Sequence, residues 1–304
     1  MKKYYSYSFL IFIFLFFLNL KKIKGNDDFR YYGVRVDKRT CQGGIVKCGG
    51  YFVKLLNTGK DEPEIYVSEI FQMDSFISEG KLRYAPDYHV IIRGDLNLDF
   101  QNDVYQAEAY NLYRLMPIPG REFTLKNDTT FFTLGNPHNL LVPTLPETER
   151  NKFDCLKNHY SKYVTNVQEN WLEYLINTGN SVFTVNNELY KSEDEKISSN
   201  KNIESSIKDY NIEYLFISLT NSNNCPKKMQ EIRCVEGLVA TYVRSFNHCY
   251  IFFECAPRSK DKNICMASPP PRCPRNYSLT SIPSYPNGCL KYYCDPTFLL
   301  YNIA

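Results

Sequence analysis

The placement of cysteines is the strongest constraint on how this chain folds. Eight of the eleven cysteines lie near the end of the 304 residues, at Cys225, Cys234, Cys249, Cys255, Cys265, Cys273, Cys289 and Cys294. A dense set of cysteines in a secreted chain forms disulfide bonds that replace part of a hydrophobic core. The chain has no C-x-x-C pair and only four histidines, so no metal site is predicted. We expect these eight cysteines to form disulfides among themselves, with the connectivity left open.

The remaining three cysteines are Cys41, Cys48 and Cys155. Cys41 and Cys48 enclose a Gly-rich stretch, CQGGIVKC, which can fold back far enough for a disulfide. Cys155 is then the odd cysteine. One hypothesis is a disulfide-linked homodimer through Cys155. A pairing with another loop and a free thiol remain open as alternatives.

The N-terminus has the features of a secretory signal. Lys2 and Lys3 precede an unbroken apolar run from Phe9 to Leu18, and Gly25 offers a cleavage point. We predict a signal peptide over residues 1–25, and hence a secreted, extracellular protein. The alternative is a retained membrane anchor, because residues 4–20 carry no charge. No membrane contact is predicted if the segment is cleaved.

The charge of the chain is concentrated in that leader. The formal net charge is +3, but residues 1–25 contain five lysines and no acidic residue, which leaves −2 for the rest. A nearly neutral mature chain gives no electrostatic reason to propose binding to nucleic acid or to an anionic membrane.

The pattern of apolar residues predicts an α+β protein with four parts after the leader. Residues 26–143 alternate in the manner of strands and predict a mostly antiparallel β domain. Residues 144–190 predict one long amphipathic helix, with a capping box at Thr144–Glu147, a stop at Gly179, and a connecting strand. Residues 191–210 are polar and predict a linker. Residues 211–304 form the cysteine-rich β and loop module, which opens on an apolar strand at Tyr214–Leu219.

Two stretches carry a resemblance to other proteins. Tyr32 to Asn57, with its CGGYFVKLLN core, together with the Ala107–Tyr110 segment, resembles an uncharacterised domain of secreted or lipid-anchored bacterial proteins. The closing CPRNYSLTSIPSYPNGCLKYYCDPTFL resembles the cysteine-rich tails of uncharacterised secreted proteins from social amoebae and bacteria. The resemblance implies secretion and a shared fold, and it implies no activity.

Catalytic and cofactor motifs are absent from the sequence. There is no G-x-S-x-G, no H-E-x-x-H, no Gly-rich phosphate loop and no dinucleotide fingerprint, so no catalytic residue and no cofactor is predicted. Asp95, Asn97 and Asp99 begin a spacing similar to a calcium loop, but Phe100 and Gln106 replace its glycine and its closing glutamate. We interpret this segment as a half-buried strand.

Two sequons predict glycosylation. They are Asn127-Asp128-Thr129 and Asn276-Tyr277-Ser278, and both lack proline in the middle position. In a secreted chain both asparagines should lie on surface loops.

These features favour a secreted disulfide-rich glycoprotein that acts as a binding or extracellular-matrix protein. Its partner would be a protein or a carbohydrate, and an aromatic content of 15% suits either. The alternatives are a secreted hydrolase with a dispersed active site and a protease-inhibitor-like protein.

Overall fold

The fold consists of two β-sheets and a few short helices. A computed structural model describes residues 30–41, 47–58, 61–73, 79–134, 144–145, 163–185, 212–219, 232–245, 248–257, 265 and 269–300. The first sheet contains β1 Arg30–Val36, β2 Tyr51–Leu55, β3 Ile65–Gln72, β4 Val90–Asp99, β5 Val104–Leu115, β6 Phe131–Leu134, β7 Thr144–Leu145, β8 Ser181–Val185 and β9 Ile212–Ser218. The second contains β10 Leu238–Arg244, β11 Tyr250–Pro257, β12 Tyr277–Ser284 and β13 Cys289–Pro296. The described helices are α1 Glu79–Arg83, α2 Glu169–Asn177 and α3 Thr297–Leu300.

The first five strands close into a barrel. Antiparallel pairs join β1 to β2 and to β4, β2 to β3, and β4 to β5, and a parallel pair between β3 and β5 completes the ring. This order, with one helix between the third and fourth strands, is that of a five-stranded OB-type barrel. Its interior is filled by alternate residues such as Val53, Val67 and Ile92, none of which is exposed.

Closure requires a glycine at one point. The β4–β5 register shifts between Arg93 and Gly94, and a Cβ on Gly94 would overlap the carbonyl oxygen of Glu108 on β5. The absence of a side chain lets the two strands approach closely where the sheet bends around the barrel.

Beyond the barrel, the first sheet continues from the end of β5. β9 pairs with β5 and β8, and β6 pairs with β8 and β7. This extension covers one side of the barrel, where Tyr31 and Ile91 point outward and pack in one cluster with Phe131, Val182 and Phe216. That side of the barrel is therefore interior to the molecule.

The second sheet, in the order β11-β10-β12-β13, shares a core with the first. Tyr277 and Cys294 belong to the same buried cluster as Trp171 and Phe183. The Tyr277 hydroxyl donates to the carbonyl oxygen of Pro117 at 2.7 Å. The C-terminal sheet is therefore packed on α2 and β8 and does not stand alone.

A buried group of polar side chains fastens this junction. Arg244 on β10 makes a two-pronged ion pair with Asp295 on β13, at 2.8 and 2.7 Å, and the two side chains are 4% and 1% exposed. Arg244 Nη2 also lies 2.8 Å from His248 Nδ1, and the His248 ring stands edge-on to Trp171 of α2, with 3.9 Å between ring centroids. Burial, and then the charge of Arg244, lower the pKa of His248 from 6.5 to about 3, against the opposite effect of Asp295. His248 is thus neutral at physiological pH and accepts a hydrogen bond from Arg244.

The described cysteines form disulfides, as the sequence predicts. Four are formed between described cysteines, Cys41–Cys48, Cys234–Cys255, Cys265–Cys289 and Cys273–Cys294. Cys249 is disulfide-bonded as well. Cys155 and Cys225 lie outside the described residues, so the homodimer through Cys155 stays a prediction.

The expectation of an α+β fold with one long amphipathic helix is wrong. The protein is mostly β, and its longest described helix, α2, has nine residues. Thr144 and Leu145, the predicted helix start, form β7, and Asn166 has a left-handed backbone with φ of 62°. Gln168 is extended, so the helix begins only at Glu169. The predicted stop at Gly179 is confirmed, because this residue has φ of 72° and its N–H donates to Ile176.

One strand lies elsewhere than expected. The apolar Tyr214–Leu219 segment, expected to open the cysteine-rich module, belongs largely to β9 and pairs with β5 and β8 in the first sheet. The linker at 191–210 and the leader at 1–25 lie outside the described residues, and both stay predictions. Within the part of the chain that the structure describes, no helix has the length and apolar character needed to span a bilayer.

The disulfides should differ in their contribution to stability. Replacing Cys273 and Cys294 by alanine should lower the free energy of unfolding by about 3 kcal/mol or more, because this bond joins cysteines 21 positions apart and Cys294 is fully buried. The matched pair Cys41→Ala and Cys48→Ala should cost about 2 kcal/mol, since only seven positions separate these cysteines. Urea unfolding under non-reducing conditions measures both, and the reverse order would contradict the assignment.

The junction around Trp171 should weaken as the pH falls. Between pH 6.5 and 5 the unfolded chain protonates His248 and the folded chain does not, so stability is full above pH 6.5 and declines below it, by at most about 1.4 kcal/mol per pH unit from this group. Urea unfolding followed by the fluorescence of Trp171, the single tryptophan, measures the slope. The variant His248→Gln should reduce the slope by up to about 1.4 kcal/mol per pH unit, and an unchanged slope would refute the assignment.

Candidate functional site

The second sheet exposes several large apolar side chains. We define the β11 patch as Ile251, Phe252 and Phe253 of β11 together with Tyr285, which follows β12. Their exposed fractions are 49%, 36%, 51% and 47%. The Phe253 and Tyr285 rings lie 4.6 Å apart between centroids, so these two exposed side chains are adjacent. Contiguous apolar side chains on a soluble protein mark an interaction surface.

The covalent structure holds the β11 patch in place. Two disulfide-bonded cysteines hold β11 in place. Cys249 directly precedes the strand, and Cys255 lies within it. The Cys234–Cys255 bond ties the strand to the segment that precedes β10. Side chains that are already ordered lose less entropy when they contact a partner.

The backbone of β11 is less suited to pairing with another strand. β11 is the terminal strand of the second sheet, but its register against β10 shifts between Thr241 and Tyr242, opposite Phe253. Such a bulge twists the edge of a sheet and discourages strand addition. Contact at this patch is therefore expected to involve side chains more than backbone hydrogen bonds.

The barrel has a second notable surface, on the side that the extension of the sheet leaves open. Arg35, Phe52 and Tyr66 lie directly opposite one another on β1, β2 and β3. The Arg35 guanidinium carbon lies 4.1 Å from the centre of the Phe52 ring, and Phe52 and Tyr66 meet edge to face at 5.6 Å. Glu64 accepts hydrogen bonds from Arg35, so this charge is neutralised in place.

The disulfide loop between β1 and β2 is organised by Asp37. The Asp37 carboxylate accepts from Arg39 Nε and Nη2, both at 2.8 Å, and from the backbone N–H of Gly49 at 3.1 Å. The hydrogen bonds from Arg39 hold the pKa of Asp37 at about 2, against the effect of burial. Arg39 is thereby held 5.1 Å from the Phe52 ring centre. The charged side chains here are paired with one another, and the Phe52 and Tyr66 rings are partly covered. This surface therefore presents less apolar area to a partner than the β11 patch does.

A small cleft lies between the barrel, the segment after β5 and the C-terminal end. It encloses about 130 Å³ and is lined by His89, Arg114, Arg121 and Tyr214, together with residues near α3. Burial, and then the charge of Arg114, lower the pKa of His89 from 6.5 to about 4. Small-molecule pockets usually enclose about 300–1,000 Å³, so the cleft suits only a small group.

The two predicted glycosylation sites lie on the surface, where acceptor asparagines are expected. Asn127 and Asn276 are both exposed and both occupy turns. The Asn127 side-chain oxygen accepts from Lys54 Nζ at 2.8 Å. Glycosylation itself stays a prediction.

The segment similar to a calcium loop is a strand followed by a tight turn. Residues 95–99 lie in β4, as expected from their alternation. Asp99 accepts from the N–H of Gln101 and from the Asn102 side chain, which closes the turn and lowers the pKa of Asp99. Among the described residues, no cluster of histidine, cysteine and acidic side chains has the makings of a metal site.

The sequence predicts a strand at the β11 patch but not the exposure of its side chains. A run of four apolar residues, Tyr250–Phe253, is typical of a strand covered on both faces. In the structure Ile251, Phe252 and Phe253 are all exposed. The available signal was the position of the run between disulfide-bonded cysteines, in a module with few other apolar segments.

Comparison with curated proteins supports the resemblance without adding a function. An uncharacterized protein of Dictyostelium discoideum is 40% identical over 76 residues, which make up 25% of this chain and 24% of that protein. The match thus spans about a quarter of the length of each. No family model matches the chain, and no solved structure matches it. The similarity to uncharacterised proteins of social amoebae is confirmed.

Proposed function

We propose that the protein is a secreted, disulfide-stabilised glycoprotein that binds another protein through the β11 patch. The observation that carries the proposal is the exposure of Ile251, Phe252 and Phe253, on a strand tied by disulfides, beside the exposed Tyr285. Exposed apolar side chains are costly in water, and their burial against a partner recovers this free energy at ~25 cal/mol per Å².

The chemistry of the patch favours a protein over a carbohydrate. A sugar needs several polar groups around an aromatic platform to satisfy its hydroxyl groups, whereas Ile251 and the two phenylalanines supply none and only Tyr285 and the neighbouring Glu254 carry polar groups. Aromatic side chains at the centre of a patch with polar groups at its edge are typical of protein interfaces. Glu254, exposed on the same strand, provides such an edge.

Neither alternative function receives support from the described residues. His89 lines a cleft too small for most substrates, and His248 is enclosed by Arg244 and Trp171. The two histidines therefore belong to separate environments. No observation on the described part of the chain favours a hydrolase or a protease inhibitor.

Secretion, glycosylation and dimer formation complete the proposal. The disulfides are compatible with an oxidising compartment, and Asn127 and Asn276 lie on exposed turns. Removal of N-linked glycans from the secreted protein should reduce its mass, and Asn127→Gln should remove part of that change. Non-reducing electrophoresis tests the Cys155 dimer, which a Cys155→Ser variant should abolish.

The β11 patch predicts a contact that depends on two side chains. A photo-crosslinking amino acid placed at Glu254 of the secreted protein should form an adduct with a partner protein in its native medium. The double variant Ile251→Ser and Phe253→Ser should reduce the yield of that adduct at least tenfold, because the apolar contact is lost. Mass spectrometry of the adduct identifies the partner.

An isolated aromatic residue provides the matched control. Tyr84 is 88% exposed and lies in the barrel part of the molecule. The variant Tyr84→Ser should leave the adduct at Glu254 unchanged. An adduct that survives the double variant, or the absence of any adduct at Glu254, would contradict the proposed function.

A further inference from the structure

The small cleft holds an arginine without an acidic partner. Arg114 lies in β5, where its backbone is paired with Val90 and Ile217, and its side chain lines the cleft. Its Nη1 atom is shielded from solvent and has no hydrogen-bond partner. Its guanidinium carbon lies 5.8 Å from the centre of the Phe298 ring.

Four other arginines of the described chain, unlike Arg114, each make an ion pair with a carboxylate. The pairs are Arg35 with Glu64, Arg39 with Asp37, Arg83 with Glu79, and Arg244 with Asp295. A buried cation without a counter-charge is unfavourable, because the protein interior replaces little of its hydration. Burial lowers the pKa of Arg114 to about 10, so the side chain still carries its charge at neutral pH.

The rest of the lining has the same electrostatic character. Among the described residues, no aspartate or glutamate lines the cleft, whereas Arg121 does, and its Nη2 donates to the Tyr163 hydroxyl at 2.9 Å. His89 is neutral and offers a polar ring nitrogen, and the amide of Asn276 lies at the rim. The cleft is therefore positive in charge, and it contains hydrogen-bonding groups.

Size restricts the ligand. A volume of about 130 Å³ lies below the range of ordinary small-molecule pockets. A compact group such as a sulfate, a phosphate or a carboxylate suits this space. A planar guanidinium is well matched to the oxygens of such anions.

We propose that this cleft binds a small oxyanion, sulfate or phosphate, with Arg114 as the principal counter-charge. The anion is either free or the terminal ester of a larger molecule that stays outside the cleft. The site is separate from the β11 patch and does not depend on the function proposed for it.

Calorimetric titration of the purified secreted protein with sodium sulfate, at ionic strength held constant with sodium chloride, tests the site. N-linked glycans are removed first, because Asn276 lies at the rim. Sulfate should bind with a stoichiometry of one, and Arg114→Gln should weaken it at least tenfold. The control Arg83→Gln, which breaks a surface ion pair with Glu79, should leave sulfate affinity unchanged.

A second variant keeps the test decisive if Arg114→Gln fails to fold. Thr297 lines the cleft, and Thr297→Asp would place a carboxylate beside Arg114. This variant should fold, unfold at a higher temperature than the wild type and no longer bind sulfate. Equal sulfate affinity in the wild type and in Thr297→Asp, or no saturable binding to the wild type, would overturn the proposal.

Titration with a sulfated monosaccharide distinguishes a free anion from an ester group as the natural ligand. A sulfated monosaccharide that binds tenfold more tightly than sulfate, and depends on Arg114, indicates the ester. Equal or weaker binding of that monosaccharide indicates the free ion.

Discussion

The pairing of β5 with three different strands is the constraint on which the rest of the structure depends. Along its whole length β5 pairs with β4, while Tyr105–Ala109 also pair with β3 and Tyr113–Leu115 pair with β9. The first part of the strand closes the barrel and the last part begins the extension that covers it. The cleft lies beside this last part, because Arg114, which lines it, pairs with Val90 of β4 and Ile217 of β9.

The partners of β5 also determine which side of the barrel is buried and which is open. Where β9 and β8 continue from β5, Phe131 and Phe216 cover Tyr31 and Ile91, so both faces of β1 and β4 are buried there. On the far side β2 and β3 have no such cover. Among the residues that the structure describes there, arginine side chains that are themselves paired with carboxylates cover the outward-facing Phe52 and Tyr66. The charges on this open side stabilise the loop closed by Cys41–Cys48.

The strands were predictable from the sequence, but their partners were not. Alternating apolar residues at Tyr51–Leu56 and the disulfide between Cys41 and Cys48 depend on local geometry, which the sequence records directly. The parallel β3–β5 closure joins residues about forty positions apart, and no local pattern specifies it. The long helix was overpredicted because Val164 is buried in the shared core without being helical, so apolar residues three and four positions apart arose from tertiary packing. The exposure of the β11 patch was equally hidden, since burial depends on which elements cover a strand.

The C-terminal sheet explains why the disulfides and the exposed patch occur together. A four-stranded sheet that packs through Tyr277 and Cys294 near one end can bury little of β11 at the other. Without a core on both sides of β11, the strand is held by covalent bonds at Cys249 and Cys255, and its side chains remain available for contact. Covalent support therefore permits an apolar surface that packing alone would not keep in order. The cysteines of this module thus account for both its stability and the presentation of the surface proposed to bind a partner.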